Sequence, residues 1–320
     1  WIALRIVLLW PTAQALPDIV HALAPVASAQ PVAPAVARQL ARPPPPPTRA
    51  DTALRPAFVR PEHPAPFGLA KVPSRVIVAE RVAFALDAAG GAHAEALAAI
   101  MSGESITAWC IGEPAPGDGL DDVALTIEPD GDELVLNGTK RPVEAGAQAD
   151  YLLVTGRTGD GLSQVLVPAG IAGLTVTALE SADLTRRFAT VRFDGVRIPA
   201  SAAVGALGGA DAQVRRQLNV ANVLHCCEST GAMQRAFDMT RAWTADRYSF
   251  GRPLDSYQEI KHRMADLLSW LQGSHAISDA AAAAIDRGDP LAEEFVSAAK
   301  AFIGHYSAEL VQDCVQLHGG

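Results

Sequence analysis

The hydrophobic period changes twice along this chain, and that order limits the folds open to it. From Val72 to Ile106 apolar residues recur at helical spacing, with Val76, Val78, Ala79, Val82, Ala83 and Ala85 in the first stretch. Gly90 and Gly91 end that stretch, and Ala92 to Met101 reads as a second short helix. From 108 to 206 the period shortens to that of strands. Val123–Ile127, Glu133–Leu136, Tyr151–Thr155, Gln164–Val167, Leu174–Thr177 and Thr190–Phe193 are short strand-like runs. Turn signals part them: Asp130-Gly131, Asn137-Gly138, Gly159 to Gly161 and Asp194-Gly195. Evenly spaced short strands with such turns predict an antiparallel sandwich or barrel. From Asp211 the helical period returns. Val214, Leu218, Ala221, Leu224, Met233 and Phe237 mark a helix to about Asp246, Tyr257 to about Arg287 a second, and Leu291 to about Leu317 a third. The expected class is α+β, with a helical remnant at 72–107, a β module at 108–206 and a helical bundle at 207–320.

Residues 1–71 follow neither period. Pro and Ala dominate, with five prolines in a row at Pro43–Pro47. Proline fixes φ and lacks a donor, so this segment is not a run of helices. It reads as extended or disordered chain, and composition favours a linker or non-native segment over a docking tail. Trp1 to Trp10 is apolar but no basic region precedes it, so Ala27-Ser-Ala29 is not taken as a signal-peptidase site. No apolar run reaches the roughly 20 residues that span a bilayer, and no membrane partner is expected. The net charge of −9 argues against a nucleic-acid partner, although a local arginine cluster still suits a small anion. The four cysteines, Cys110, Cys226, Cys227 and Cys314, show neither a disulfide framework nor a zinc spacing, and the histidines are scattered. No metal site is expected, and a reducing, cytoplasmic setting is the simplest reading.

Two stretches carry chemistry in the C-terminal part: Arg247-Tyr-Ser-Phe-Gly-Arg-Pro-Leu-Asp-Ser-Tyr-Gln258, and Gln316-Leu-His-Gly-Gly320. A guanidinium grips a pyrophosphate through parallel hydrogen bonds, and glycine lets backbone approach a ligand closely. Together the stretches resemble the C-terminal flavin-binding signature of the acyl-CoA dehydrogenase family. The resemblance implies Arg247 and Ser249 on the pyrophosphate of FAD, Phe250 near the adenine or flavin, and Tyr257 and Gln258 further along the cofactor. It implies Gln316, Gly319 and Gly320 against the pyrophosphate or the ribityl–adenine part. In the family these groups reach the FAD of a neighbouring subunit, so a homo- or hetero-oligomer, dimer or tetramer, is expected.

The resemblance extends over 72–320. Trp109 to Asp118 is similar to the loop that opens the family's β domain, which runs along the flavin and touches the acyl thioester. Cofactor contacts are implied at Trp109, Ile111, Gly112 and Asp118, the last also facing substrate. Glu113, Pro114 and Gly117 match the pattern, whereas Gly112 and Asp118 replace the usual Thr and Ser. Asn137 to Gly146, with Ala149 and Asp150, is similar to the next segment and implies cofactor contacts at Pro142, Val143 and Glu144. Here Pro142 replaces an aromatic residue and Glu144 a hydroxyl; Glu144 is also open to a reading as a solvated turn residue. Val191 to Pro199 resembles the strand that closes the β domain. Arg186 has two readings, a CoA phosphate contact or, more commonly for adjacent arginines, a salt bridge. On the helix from Asp211, Asn219 and Asn222 are implied at the substrate, and no carboxylate stands where some relatives place their base. Glu228, two turns on, reads as a structural pair, because reach to substrate decides such a role.

By resemblance, then, the chain has an N-terminal helical domain in part, a β-barrel middle domain and a C-terminal helical bundle. The implied activity is FAD-dependent α,β-dehydrogenation of an acyl-CoA, with electrons passing to an electron-transfer flavoprotein. The family's catalytic glutamate is expected after Gly320, so no catalytic residue is assigned, and the chain as given is expected to bind FAD poorly and turn over little. Because Gly112, Pro142, Glu144 and Asn222 all depart from the active pattern, the alternative is a non-catalytic partner subunit of a hetero-oligomeric acyl-CoA or steroid-CoA dehydrogenase. A generic helical interaction protein leaves the C-terminal signature unexplained.

Overall fold

The computed structural model describes residues 74–319 except 116–118, 160 and 184, and gives the backbone alone for 74–80. The expectations for residues 1–71, Gly117, Asp118 and Gly320 lie outside the described residues. Helix α1 (Ser74–Ala88) is followed by a 3-10 turn (Gly91–His93) and α2 (Ala94–Ser102). Helix α2 ends at Gly103, whose left-handed φ of 79° lets its N–H reach the Ile100 carbonyl. Seven strands follow: β1 (Thr107–Cys110), β2 (Thr126–Asp130), β3 (Glu133–Glu144), β4 (Tyr151–Thr158), β5 (Gly161–Pro168), β6 (Leu174–Leu179) and β7 (Phe188–Pro199).

The strands form one curled sheet in the order β1-β4-β2-β3-β7-β6, with β5 on the far side of β4. The sheet is mixed, which corrects the expectation of an antiparallel one. Strands β1 and β2 both run parallel to β4, β1 against Tyr151–Val154 and β2 at Arg157. The chain leaves the sheet after Cys110 and re-enters further along the same neighbour, so β2 continues in the direction of β1.

Two expected turns are also corrected. Asn137-Gly138 and Asp194-Gly195 lie inside β3 and β7, facing each other across a β-bulge. The Gly195 N–H donates to Asn137 Oδ1 at 2.8 Å, and Gly195 has a φ of 62°. A bulge bends and twists a strand without ending it, so the short runs Glu133–Leu136 and Thr190–Phe193 extend into two twelve-residue strands and the sheet curls. Gly138, with φ 145°, allows the close approach: a Cβ there would lie 2.9 Å from the Leu125 backbone.

Inside the curl, Leu125, Ile127, Leu136, Leu152, Val154, Val165, Val191 and Phe193 form one core. On the outer face, Trp109, Leu153, Leu162 and Leu166 pack with Val82, Ala85 and Leu86 of α1. Strands β4 and β5 are thus covered on both faces, and this is why their burial runs without alternation over 152–156 and 162–167.

The C-terminal part holds α3 (Asp211–Asp246), a hairpin of β8 (Tyr248–Ser249) and β9 (Arg252–Pro253), α4 (Gln258–Asp286) and α5 (Ala292–Leu317). Met233, Phe237, Leu267, Leu271, Val296, Ile303 and Leu310 form its core. Hydroxyls buried in the helices donate to carbonyls one turn back: Thr230 to Cys226, Thr240 to Ala236 and Ser274 to Trp270, at 2.8, 2.9 and 2.8 Å. Their polar groups are satisfied locally and leave the packing face apolar.

The excursion between β1 and β2 is closed by one buried ion pair. Lys140 of β3 is fully buried and donates to Glu113 Oε1 at 2.7 Å and to the Ile111 carbonyl at 3.1 Å. Glu113 also accepts the N–H groups of Ala124 and Leu125, each at 2.9 Å. Burial pushes the Glu113 carboxyl up, but the Lys140 and backbone hydrogen bonds outweigh it and hold the group below its usual value. Burial holds Lys140 below its own usual value, with Glu113 pulling the other way.

Removing one partner of such a pair leaves the other charge uncompensated. Glu113→Gln is expected to destabilise the protein by about 3 kcal/mol in urea unfolding, and a change under about 0.5 kcal/mol would contradict this role. Because the folded carboxyl titrates low, its contribution is complete above about pH 4.3 and is lost as pH falls through the folded value. The variant should lack that part of the acid dependence.

Candidate functional site

Two clusters of polar and aromatic side chains lie along α3, one near its middle and one at its C-terminal end. At about 1.5 Å of rise per residue, Glu228 and Arg247 stand roughly 28 Å apart.

The C-terminal cluster is built around a hairpin. Helix α3 stops at Arg247, whose backbone turns extended at φ −82° and ψ 121°. Phe250 and Gly251 both take left-handed φ, 52° and 84°, which matches the twist of a two-residue hairpin. The Tyr257 hydroxyl donates to the Ser249 carbonyl at 2.7 Å, and the Arg252 guanidinium lies 3.7 Å over the Tyr257 ring. This fixes Ser249 beside Arg247. Helix α5 runs back so that its end meets the end of α3, and His318 stacks on Trp243 at 5.4 Å. His318 Nδ1 lies 2.8 Å from the Cys314 carbonyl, which accepts only, so Nδ1 carries a proton.

A cavity of about 570 Å³ opens there, lined among others by Trp243, Arg247, Ser249, Arg263, Gln316 and Gly319. Of the residues expected at the cofactor, Arg247, Ser249, Gln316 and Gly319 are brought together around it. Tyr257 supports it from behind through Ser249. Gln258 starts α4 and bonds His262 at 2.9 Å, and Phe250, 98% exposed at the hairpin tip, faces away from the protein's own core. Trp243, Arg263 and His318 were not foreseen. Trp243 sits four residues before Arg247 on one helix, so helical spacing alone carried a signal for it. Electrostatically the two arginines differ. Arg263 is paired with Asp313, whereas Arg247 is exposed, makes no ion pair among the described residues and lies 5.8 Å from the Trp243 ring centre.

The second cluster joins the β module to α3. Glu144, at the end of β3, accepts from Arg186 Nη1 at 3.0 Å, and Arg186 Nη2 donates to Glu228 of α3. His225 Nδ1 stands 3.4 Å from the same Glu228 oxygen, and His225 Nε2 meets Arg81 of α1. Glu228 is held below the usual carboxylate range by its hydrogen bond with His225 and by Arg186, against burial. Burial holds His225 below its usual value, and the charges of Arg81, Lys300 and Arg186 add to this against Glu228.

The other expected residues lie on β1 and the loop after it, on β3 and on α3. The Arg141 N–H donates to the Gly112 carbonyl at 2.8 Å, which sets Ile111 and Gly112 beside Pro142. Val143 is fully buried in the sheet core. Trp109 is 6% exposed and its indole N–H donates to Thr155 at 2.9 Å. Asn219 and Asn222 are half-buried on α3. Arg186 and Glu228 are both ion-paired, as their structural readings require, and Glu144 is paired too. Among the described residues no group of three or more His, Cys, Asp or Glu is placed to hold a metal, and no helix is long and apolar enough to cross a membrane.

Comparison with known proteins matches residues 208–320 to the family described as acyl-CoA dehydrogenase, C-terminal domain. The chain is 28% identical over 231 residues to the mitochondrial isobutyryl-CoA dehydrogenase of Dictyostelium discoideum, covering 70% of this chain and 56% of that protein. It is 29% identical over 229 residues to cyclohex-1-ene-1-carbonyl-CoA dehydrogenase of Geobacter metallireducens, covering 69% and 60%. The chain thus spans less than two thirds of these curated relatives. Among solved structures, glutaryl-CoA dehydrogenase from Mycobacterium smegmatis superposes with a TM-score of 0.72 at 25% identity, covering 77% of this chain and 65% of that one. A structure of a glutaryl-CoA dehydrogenase from the same organism in complex with FADH2 gives a TM-score of 0.70 at 25% identity, with the same coverage.

Among the described residues Arg186 is the ion-pair partner of Glu144, shares Glu228 with His225 and lies 4.0 Å from Asp183. Arg186→Gln is therefore expected to cost about 2–3 kcal/mol in urea unfolding. An unchanged midpoint would show that the joint between β3 and α3 contributes nothing.

Proposed function

We propose that this chain, a member of the acyl-CoA dehydrogenase family through its C-terminal domain at 208–320, takes part in FAD-dependent α,β-dehydrogenation of an acyl-CoA, with an electron-transfer flavoprotein as acceptor. The observation that carries the reading is the gathering of Arg247, Ser249, Gln316 and Gly319 around one cavity from two distant stretches of sequence. The donor set fits a pyrophosphate: a guanidinium that makes no ion pair among the described residues, a hydroxyl, and a glycine at φ 91° whose added Cβ would meet nothing within 4 Å. Trp243 and His318 add a flat aromatic wall. When bound, FAD supplies the acceptor for the two hydrogens that leave the acyl chain. The residues of this chain bind and orient it.

Arg247 and Ser249 are assigned to the phosphates and Gln316 and Gly319 to the adjoining part of the cofactor. Ile111, Gly112, Pro142 and Glu144 are assigned to the flavin end of a site in another copy or partner chain. The separation of the two clusters along α3 supports this division, and with it an oligomer whose cofactor sites draw on two chains. Among the described residues of the second cluster, the carboxylates Glu144 and Glu228 are both ion-paired, so neither is assigned as the base that takes the α-proton. The same pairing favours a second reading, a partner subunit that completes the site of another acyl-CoA dehydrogenase chain without performing the reaction itself.

Titration with FAD, followed by flavin absorbance and protein fluorescence, tests the assignment. Binding by the wild type that weakens about tenfold or more in Arg247→Gln is expected, as for loss of a charge-assisted phosphate contact. Equal binding by the variant, or no binding by the wild type, would overturn it.

A further inference from the structure

His318 follows the last residue of α5 and lines the cavity together with Arg247, Ser249 and Gln316. One of its two ring nitrogens is committed. Nδ1–H donates to the Cys314 carbonyl at 2.8 Å, and the ring stacks on Trp243 with 5.4 Å between centres and 24° between planes. These two contacts tie the ring to the ends of both α3 and α5. On the far side of the ring, Nε2 makes no hydrogen bond or ion pair with a described residue. A neutral imidazole held in this way accepts at Nε2. A second proton turns Nε2 into a donor that carries positive charge.

The charged and titratable groups around the ring are Arg247 on α3, Arg263 and Glu259 on α4, and Asp313 and Cys314 on α5. On the hairpin, Arg252 is taken up over the Tyr257 ring. Arg263 is answered by its ion pair with Asp313 and, at longer range, by Glu259. Arg247 makes no ion pair among the described residues. Its guanidinium and the His318 ring lie 5.8 and 5.4 Å from the centre of the same indole, so both come within the span of one ligand. The two arginines weigh against a charge on His318, and an anion between Arg247 and His318 reverses that balance. The carbonyl end of α5 also favours a cation there.

We propose that His318 is a phosphate ligand of this cavity and binds in its protonated form, so that a pyrophosphate diester entering the cavity brings a proton with it. The inference rests on the reading of the cavity as the pyrophosphate site of FAD and adds a second cationic contact beside Arg247. Linkage fixes the sign. The ligand raises the affinity of the ring for its proton, and the proton raises the affinity for the ligand by the same factor. The advantage is complete below the pH at which the free ring titrates and is lost as pH rises through that of the occupied ring. The phosphodiesters of FAD hold no proton that titrates near neutral pH, so a proton taken up on binding belongs to the protein.

The test is calorimetric titration of the full chain with FAD at about pH 7, in two buffers of different ionisation enthalpy, which counts the protons taken up per FAD bound. The wild type is expected to take up a measurable fraction of a proton. Its affinity should fall about tenfold between about pH 6 and pH 8, as for loss of one charge-assisted contact. His318→Gln should lose both the uptake and the pH dependence. His318→Arg should keep the tight affinity at both pH values, because a guanidinium stacks on an indole and stays charged. FAD binding by the wild type without proton uptake would overturn the proposal and leave the pyrophosphate reading in place, and so would an unchanged proton count in His318→Gln. No binding by the wild type at either pH would overturn that reading and this inference with it. Should His318→Gln not fold, His318→Arg decides: proton uptake equal to that of the wild type would overturn the proposal.

Discussion

The buried pair of Lys140 and Glu113 is the constraint on which the β module depends. A twelve-residue strand, β3, carries an ammonium into the sheet where no water reaches it, and only one carboxylate answers it. That carboxylate sits on the excursion between β1 and β2 and bonds the backbone at the point of return, Ala124 and Leu125. One ion pair therefore decides where β2 re-enters the sheet, and so the mixed topology. It also ties Ile111 and Gly112 to β3 beside Pro142. Desolvating two charges gains little stability over an apolar pair, but it admits one register.

Arg186 makes the second joint. It fastens the end of β3 to the middle of α3, where the N-terminal helix also arrives through Arg81 and His225. From there α3 runs to the hairpin and cavity at its other end. Along α3 lie a charged junction with the β module at its middle and an aromatic, arginine-lined cavity at its C-terminal end.

Much of this was legible in the sequence because the periods were clean. The three long helices and most strand positions follow from apolar spacing, and the two C-terminal stretches that meet at the cavity stood out by residue type. Strand boundaries were less legible. Asn137-Gly138 and Asp194-Gly195 carry turn chemistry, and only the pairing of β3 with β7 shows that the two sites form a bulge instead. Parallel pairing of β1 and β2 with β4 leaves no local mark, since it depends on Lys140 reaching across 27 positions to Glu113. Trp109 was expected at the cofactor through the resemblance alone; it lies in β1 with its indole N–H bonded to Thr155. Arg81 gave no signal, because its place beside His225 arises only when α1 and α3 pack.

The proposal that the middle and the C-terminal end of α3 serve cofactor sites shared between chains is tested most directly by sedimentation velocity of the protein with FAD, recorded at a flavin wavelength. The account predicts that flavin absorbance travels with a dimer or larger species and is missing from the monomer boundary on dilution. Flavin sedimenting stoichiometrically with a monomer would contradict it.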